Sequence, residues 1–246
     1  MDEVKTNNIH LIKGDCLEVM KNIKDNSIDM ILCDLPYGTT RNKWDTIIPL
    51  DKLWEQYNRI IKDNGAIVLF SQMPFSAKLV TSNYKNFRYE WIWEKEQGTG
   101  FLNAKKMPLK AHENILIFYK KLPVYNPQWS IGKPYKHTGG THSCNYGKRD
   151  YAVITISDGR RFPKDIIKIK RDKSKTDGHF HPTQKPVELL KYLIKTYTLD
   201  GDTILDNCMG SGSTGVAVLE VGGDRKFIGI ELDDKYFDIA CNRIKG

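Results

Sequence analysis

An acid, a proline and an aromatic ring stand together at Asp34-Leu35-Pro36-Tyr37, directly after the apolar run 28–33. That set suits chemistry on a flat, nitrogen-bearing ring. A carboxylate can hold an exocyclic amino group, proline limits the turn's freedom, and tyrosine offers a face on which a base can stack. Asp, Pro and Gly38 are also common turn residues, so the tetrapeptide alone fits a plain strand-ending turn as well.

A second constellation lies late in the chain. Asp206 precedes Asn207-Cys208-Met209, and Gly210-Ser211-Gly212-Ser213-Thr214 follows. Its glycines let backbone approach a ligand closely, and the helix after it offers unpaired N–H groups to a negative group. The Gly-x-Gly spacing is tighter than a dinucleotide fingerprint, and the Gly-Lys-Ser/Thr ending of a P-loop is missing. Glu231, at the end of the next strand, can accept hydrogen bonds from two ribose hydroxyls. Together these residues point to a nucleoside ligand carrying a carboxylate or phosphate. In His181-Pro182-Thr183-Gln184-Lys185-Pro186, Thr183 or Lys185 can reach an anionic group, although such a run before a helix also serves as a cap.

Metal chemistry is not expected. The five cysteines are an odd number without a Cys-x-x-Cys pair, which argues against a disulfide framework and a zinc site. The pairs His179 with His181 and His137 with His142 come without matched ligands.

The elements that must position these residues follow from apolar periodicity. Strands are predicted at 8–13, 27–33, 66–70, 87–93, 114–119, 203–205 and 226–231. Helices are predicted at 16–23, 50–62, 74–83, 186–197, 215–221 and 235–244, with Asn64-Gly65 ending the second and a Gly98-Thr99-Gly100 loop between two strands. Such alternation implies an α/β fold, a mostly parallel sheet with helices on both faces. Ligands bind beyond the carboxyl ends of such strands, which places Asp15, Asp34, Asp206 and Glu231 along one rim.

From 122 to 180 the chain turns proline-rich, glycine-rich, basic and aromatic, with strands predicted at 152–156 and 166–169. Residues 120–180 hold 14 Lys/Arg against 5 Asp/Glu, while the rest holds 24 against 25, so this segment carries the whole net charge of +8. Arg160, Arg161, Lys164, Lys168, Lys170 and Arg171, with Lys173 and Lys175, suit the neutralisation of phosphates. Aromatics from Tyr125 to Phe162 interleave with them, as on nucleic-acid-binding surfaces. The N-terminus has no apolar h-region and no window is long enough to span a bilayer, so a cytoplasmic location is expected.

These residues jointly resemble the S-adenosylmethionine-dependent DNA amino-methyltransferases, specifically the permuted β group. There an Asp-Pro-Pro-Tyr motif comes first, a recognition region follows, and Thr-x-Lys-Pro and Gly-x-Gly motifs come last. The order here matches over nearly the whole chain, and Trp93-Glu94-Lys95, the stretch 100–105 and His112-Glu113-Asn114 also look like the segments between. The resemblance implies a Rossmann-like fold with a seven-stranded sheet, a catalytic domain at 1–121 and 179–246, and an inserted target-recognition region at 122–178. It implies that Asp206 and Gly210, Ser211, Gly212, Ser213 and Thr214 cradle the methionine part of the cofactor. Glu231 would hold its ribose, Asp15 and Cys16 its adenine, and Thr183 and Lys185 would close its carboxylate end. Asp34, the carbonyl of Leu35, Pro36 and Tyr37 would hold a flipped base.

Two departures stand out. Leu35 replaces the usual first proline, which costs rigidity but keeps the carbonyl; Asn207-Cys208-Met209 replaces Pro-Phe-x, where an aromatic often packs on adenine. The implied reaction is methylation of adenine N6 in duplex DNA. N4-cytosine methylation, RNA or protein-glutamine methylation, and a non-catalytic DNA-binding partner subunit are the alternatives. Carbon-5 cytosine methylation needs a Pro-Cys pair, which this sequence lacks. Double-stranded DNA is the implied partner, and a homodimer or a cognate restriction endonuclease are further candidates.

Overall fold

A strand covered on both faces must be apolar on both, and residues Ile28–Asp34 meet that condition with five buried positions. The computed structural model describes residues 2–38, 45–139, 142–143, 147–148, 154–172 and 184–245. In chain order its elements begin with β1 (Glu3–Lys5), β2 (Ile9–Lys13), α1 (Cys16–Met20), β3 (Ile28–Asp34), α2 (Leu50–Ile60) and β4 (Ile61–Ser71). They continue with α3 (Phe75–Ser82), β5 (Phe87–Thr99) and β6 (Lys110–Phe118). Six short strands follow, β7 (Ser130–Ile131), β8 (Tyr135–Thr138), β9 (His142–Ser143), β10 (Gly147–Lys148), β11 (Ile154–Ser157) and β12 (Arg160–Arg161). The chain closes with β13 (Ile166–Lys168), α4 (Val187–Tyr197), β14 (Thr203–Asp206), α5 (Ser213–Val221), β15 (Lys226–Glu231) and α6 (Asp234–Lys245).

The chain divides into two compact units, Met1–Asn126 with Asp165–Gly246, and Pro127–Lys164. In the larger unit one sheet runs in the order β1-β2-β15-β14-β3-β4-β6-β5-β13. It has nine described strands, not the seven expected, and it is mixed. The pairs β2–β15, β15–β14, β14–β3, β3–β4 and β5–β13 are parallel, whereas β1–β2, β4–β6 and β6–β5 are antiparallel. The extra strands have plain causes. A short hairpin adds β1 at one edge, and β13, within the basic segment of the sequence, pairs with β5 at the other.

Side chains alternate between the two faces of each strand. Met30 and Leu32 pack on one side with Leu193, Ile194 and Val218 from α4 and α5. Ile31 and Cys33 pack on the other with Leu53, Tyr57 and Leu79 from α2 and α3. Each loop at a strand's carboxyl end therefore starts from a clamped base.

Two local expectations fail for physical reasons. Asn64-Gly65 does not end α2; the helix stops at Ile60, and residues 62–65 form an irregularity inside β4, where the pairing jumps from Ile28↔Ile61 to Met30↔Ala66. Gly65 serves close packing there, since a Cβ would sit 2.9 Å from the Asp29 carbonyl. Likewise β5 continues through Gly98 and Thr99, which pairs with Lys110, so of that tripeptide only Gly100, at φ +85°, belongs to the turn.

In the smaller unit, β8 pairs with β11, β7 with β12 and β9 with β10, all antiparallel. The strand expected at 152–156 appears as Ile154–Ser157, its first two residues lying outside the described ones. Ile154 and Ile156 are exposed, and Trp129 lies against Phe162 at 4.2 Å between ring centroids.

Candidate active site

Strands β3 and β14 lie side by side at the sheet's centre, and the chain winds from β3 to β4 on one side and from β14 to β15 on the other. Such a reversal opens a crevice beyond the carboxyl ends. A cavity of about 770 Å³ lies there, within the range that takes a drug-sized ligand. Asp15, Asp34, Asp206 and Glu231, from the ends of four strands, all line it.

At β3's end, Asp34 keeps 27% of its side chain open. Its Oδ1 accepts the Tyr37 hydroxyl at 2.6 Å, and its Oδ2 accepts the Lys185 ammonium. Burial pushes the Asp34 carboxyl up, against the pull of Lys185. The Tyr37 ring is stacked on Phe75, 5.3 Å between centroids, which fixes its plane. Leu35 sends its side chain into the core and, with Pro36, also borders the cavity.

At β14's end, Asp206 Oδ2 accepts the Thr214 hydroxyl at 2.6 Å and Oδ1 accepts the Cys208 N–H at 3.1 Å. Burial raises its pKa from 3.8 to about 6. Gly210 and Gly212 adopt positive φ, +51° and +80°, and Gly212 caps α5 without a side-chain hydrogen bond. A Cβ at Gly212 would also stand 2.9 Å from the Ala240 Cβ, so glycine is required twice over. Gly210, Ser211, Ser213 and Thr214 line the cavity, with Gly212 just behind them. Arg243 of α6 ties the loop down by donating to the Ser211 carbonyl and to the hydroxyls of Ser211 and Ser213.

Glu231 is held by three backbone donors, Gly210 N at 2.8 Å and Leu232 N and Asp233 N at 2.9 Å each. Burial nevertheless raises its pKa. Beside it, at the end of the neighbouring β2, Asp15 caps α1 through the Leu17 N–H at 2.8 Å. A hydrogen bond from Cys208 lowers the Cys16 thiol's pKa, and Asn207 takes the Tyr57 hydroxyl at 2.5 Å. The departure from Pro-Phe-x at 207–209 is thus occupied by contacts that anchor the loop.

Thr183 lies outside the described residues, as do Lys173 and Lys175. Lys168 and Lys170 form exposed ion pairs with Glu94 and Glu96, each at 3.0 Å, and Arg171 follows them. In the smaller unit, Arg160 and Arg161 lie over the rings of Trp129 and Tyr135, at 5.5 and 4.6 Å, and Lys164 ends that unit. Sequence reasoning gave no role to Lys95, Glu113 or Arg243. Only the first two left a trace, in Trp93-Glu94-Lys95 and His112-Glu113-Asn114.

A family model described as DNA methylase (N6_N4_Mtase) matches residues 28–242. The chain is 28% identical to the type II methyltransferase M2.MboI of Moraxella bovis over 264 residues, covering 96% of this chain and 87% of that protein. It is 28% identical to the DNA adenine methyltransferase YhdJ of Escherichia coli K12 over 257 residues, covering 99% and 83%. The crystal structure of an M1.HpyAVI–SAM complex superposes with a TM-score of 0.63 at 25% identity, covering 96% of this chain and 99% of that one.

Proposed function

We propose, from the premise that this chain belongs to the DNA methylase family, that it methylates the N6 amino group of an adenine flipped out of duplex DNA. It is an S-adenosylmethionine-dependent DNA amino-methyltransferase, in a family that acts on adenine N6 or cytosine N4. One observation carries the activity: Asp34 opens into the cavity that Asp206, Glu231 and the glycine loop also line. The leading acid of Asp34-Leu35-Pro36-Tyr37 favours adenine over cytosine, where a leading serine is more usual. The tetrapeptide preceding the glycine loop fits the permuted motif order.

The residues suit the cofactor. The α5 N-terminus would offer N–H groups to its carboxylate, Asp206 would face its ammonium, Glu231 would accept its ribose hydroxyls, and Asp15 and Cys16, with Ile47, Pro49 and Leu232 also lining the cavity, would hold its adenine. Bound there, S-adenosylmethionine supplies an electrophilic methyl group.

The protein's own task is to make an unreactive nitrogen nucleophilic. An adenine amino group delocalises its lone pair into the ring. When the Asp34 carboxylate and the Leu35 carbonyl each accept one N–H, the nitrogen moves toward tetrahedral geometry and the lone pair becomes available. Extrusion of the base costs a few kcal/mol, and the Tyr37 ring, held by Phe75, offsets part of it by stacking. The region 122–178, with Arg160 and Arg161 on aromatic faces and Lys164, Lys168, Lys170 and Arg171 nearby in sequence, supplies phosphate and base-edge contacts. Lys168 and Lys170 must then exchange their acidic partners for phosphate.

The test is to incubate the protein with cofactor and genomic DNA and map modified bases by single-molecule sequencing. N6-methyladenine at a defined motif is the expected result. N4-methylcytosine would replace the base assignment, and unmodified DNA would overturn the activity.

Cofactor affinity should depend on pH through Asp206. With its carboxyl raised to about 6, Asp206 is protonated below that pH and ionised above it. An ammonium prefers the ionised form, so calorimetry should show binding level above about pH 7 and weakening by up to about tenfold per unit below 6. Asp206→Asn should flatten that profile. Stability runs the other way: because the folded pKa lies above 3.8, the unliganded protein loses stability as pH rises from 3.8 to about 6 and is level beyond.

A further inference from the structure

Asp34 is the first of four charged side chains that form an unbroken row of ion pairs. Lys185, from the segment before α4, contacts both Asp34 and Glu113, and Glu113, on β6, contacts Lys95 on β5. Lys185, Glu113 and Lys95 are nearly buried. Two lysines and two carboxylates make the row neutral. Contacts can therefore shift within it without placing a net charge in the interior.

The two carboxylates differ in one respect. Both oxygens of Asp34 already have a donor, the Tyr37 hydroxyl on Oδ1 and Lys185 on Oδ2, yet an amino group to be methylated needs one of them. Glu113 Oε1 accepts Lys95, whereas its buried Oε2 has no hydrogen-bond partner among the described residues and lies 3.3 Å from Lys185 Nζ.

We propose that Glu113 is a positioning residue for methyl transfer, whose Oε2 receives the Lys185 ammonium when the target amino group takes Asp34 Oδ2, while Lys95 holds Glu113 in place. The inference rests on Asp34 as the base-holding carboxylate. Closing 3.3 Å to the ~2.8 Å of a charged hydrogen bond needs only a small movement. It also withdraws a positive charge from Asp34 as that carboxylate must accept a hydrogen. Burial works against the charge on Lys185, but Asp34 and Glu113 outweigh it and keep the ammonium protonated. Burial likewise opposes the charge on Glu113, and Lys185 and Lys95 overcome it, holding the carboxyl below its ordinary range.

The experiment is steady-state kinetics of Glu113→Gln, alone and with Lys185→Met, beside Asp34→Asn. Glu113→Gln should lower kcat by roughly 10- to 100-fold, the scale of a misplaced catalytic group, with KM for DNA and cofactor and 2-aminopurine flipping fluorescence within about twofold of wild type. Because Glu113 acts through Lys185, adding Glu113→Gln to Lys185→Met should change kcat less than about twofold further. Wild-type kcat in Glu113→Gln, or losses that multiply in the double variant, overturns the proposal. If Glu113→Gln does not fold, Glu113→Asp, which keeps the charge but retreats from Lys185, should show the same kcat loss, and wild-type kcat there overturns it equally. An inactive Asp34→Asn beside a fully active Glu113→Gln refutes only this inference, whereas an active Asp34→Asn refutes the reading beneath it.

Discussion

Asp34→Asn should bind S-adenosylmethionine as tightly as the wild type and lose roughly a thousandfold or more in methyl transfer, the scale of removing a preorganised partner of a developing charge. The asparagine keeps the volume at the end of β3 but replaces one acceptor oxygen with a donor. That nitrogen can accept neither the Lys185 ammonium in the resting site nor the amino hydrogen that takes its place. Asn is a better probe than Ala. Alanine would leave Lys185 facing Glu113 alone, and breaking a buried pair costs about 3–5 kcal/mol in stability. Calorimetry for the cofactor and a tritiated-methyl assay on DNA separate binding from transfer; a variant that turns over normally would remove Asp34 from the mechanism.

The second large effect belongs to Glu231. Replacing it with alanine removes the acceptor for two ribose hydroxyls and orphans the N–H groups of Gly210, Leu232 and Asp233. Hydrogen bonds to a charged group contribute about 1.5–3 kcal/mol each, so the cofactor Kd should rise by roughly 10²- to 10⁴-fold. Glu231→Gln should fall between, since it keeps one oxygen acceptor. The contrast with Asp34 is diagnostic. Glu231→Ala should regain near-normal kcat when cofactor is raised to saturation, whereas no cofactor concentration restores Asp34→Asn. Wild-type affinity in Glu231→Ala would place the ribose elsewhere.

Much of the site was legible because its parts are local. An apolar run that ends in a polar residue marks a buried strand and its carboxyl end, which is how Asp34, Asp206 and Glu231 stand out. A Gly-Ser-Gly run before an apolar helix marks a close approach of backbone to ligand. The parts that were not legible depend on contacts between distant segments. Lys185 reads as a residue ahead of a helix that can reach an anionic group, expected to be the cofactor's carboxylate, yet the carboxylate it meets is Asp34, 151 positions away. Lys95 and Glu113 stand in recognisable segments, but nothing in those segments says that the two pair across β5 and β6. The break between α2 and β4 was misplaced for a related reason: Gly65 imitates a helix stop and in fact lets β4 pack closely on β3.

By itself the sequence determined the alternation of strands and helices, the strand-end carboxylates, the glycine loop and the concentration of positive charge in 120–180. Each depends on residue types within a few positions of one another, where periodicity and turn chemistry are decisive. Only the tertiary structure decided that the sheet has nine strands among the described residues, that the two constellations share one cavity, and that Asp34 is bound into a neutral row with Lys185, Glu113 and Lys95. Those outcomes depend on which strands become neighbours. Burying both faces of the sheet selects that arrangement, and it brings charges far apart in the chain within bonding distance.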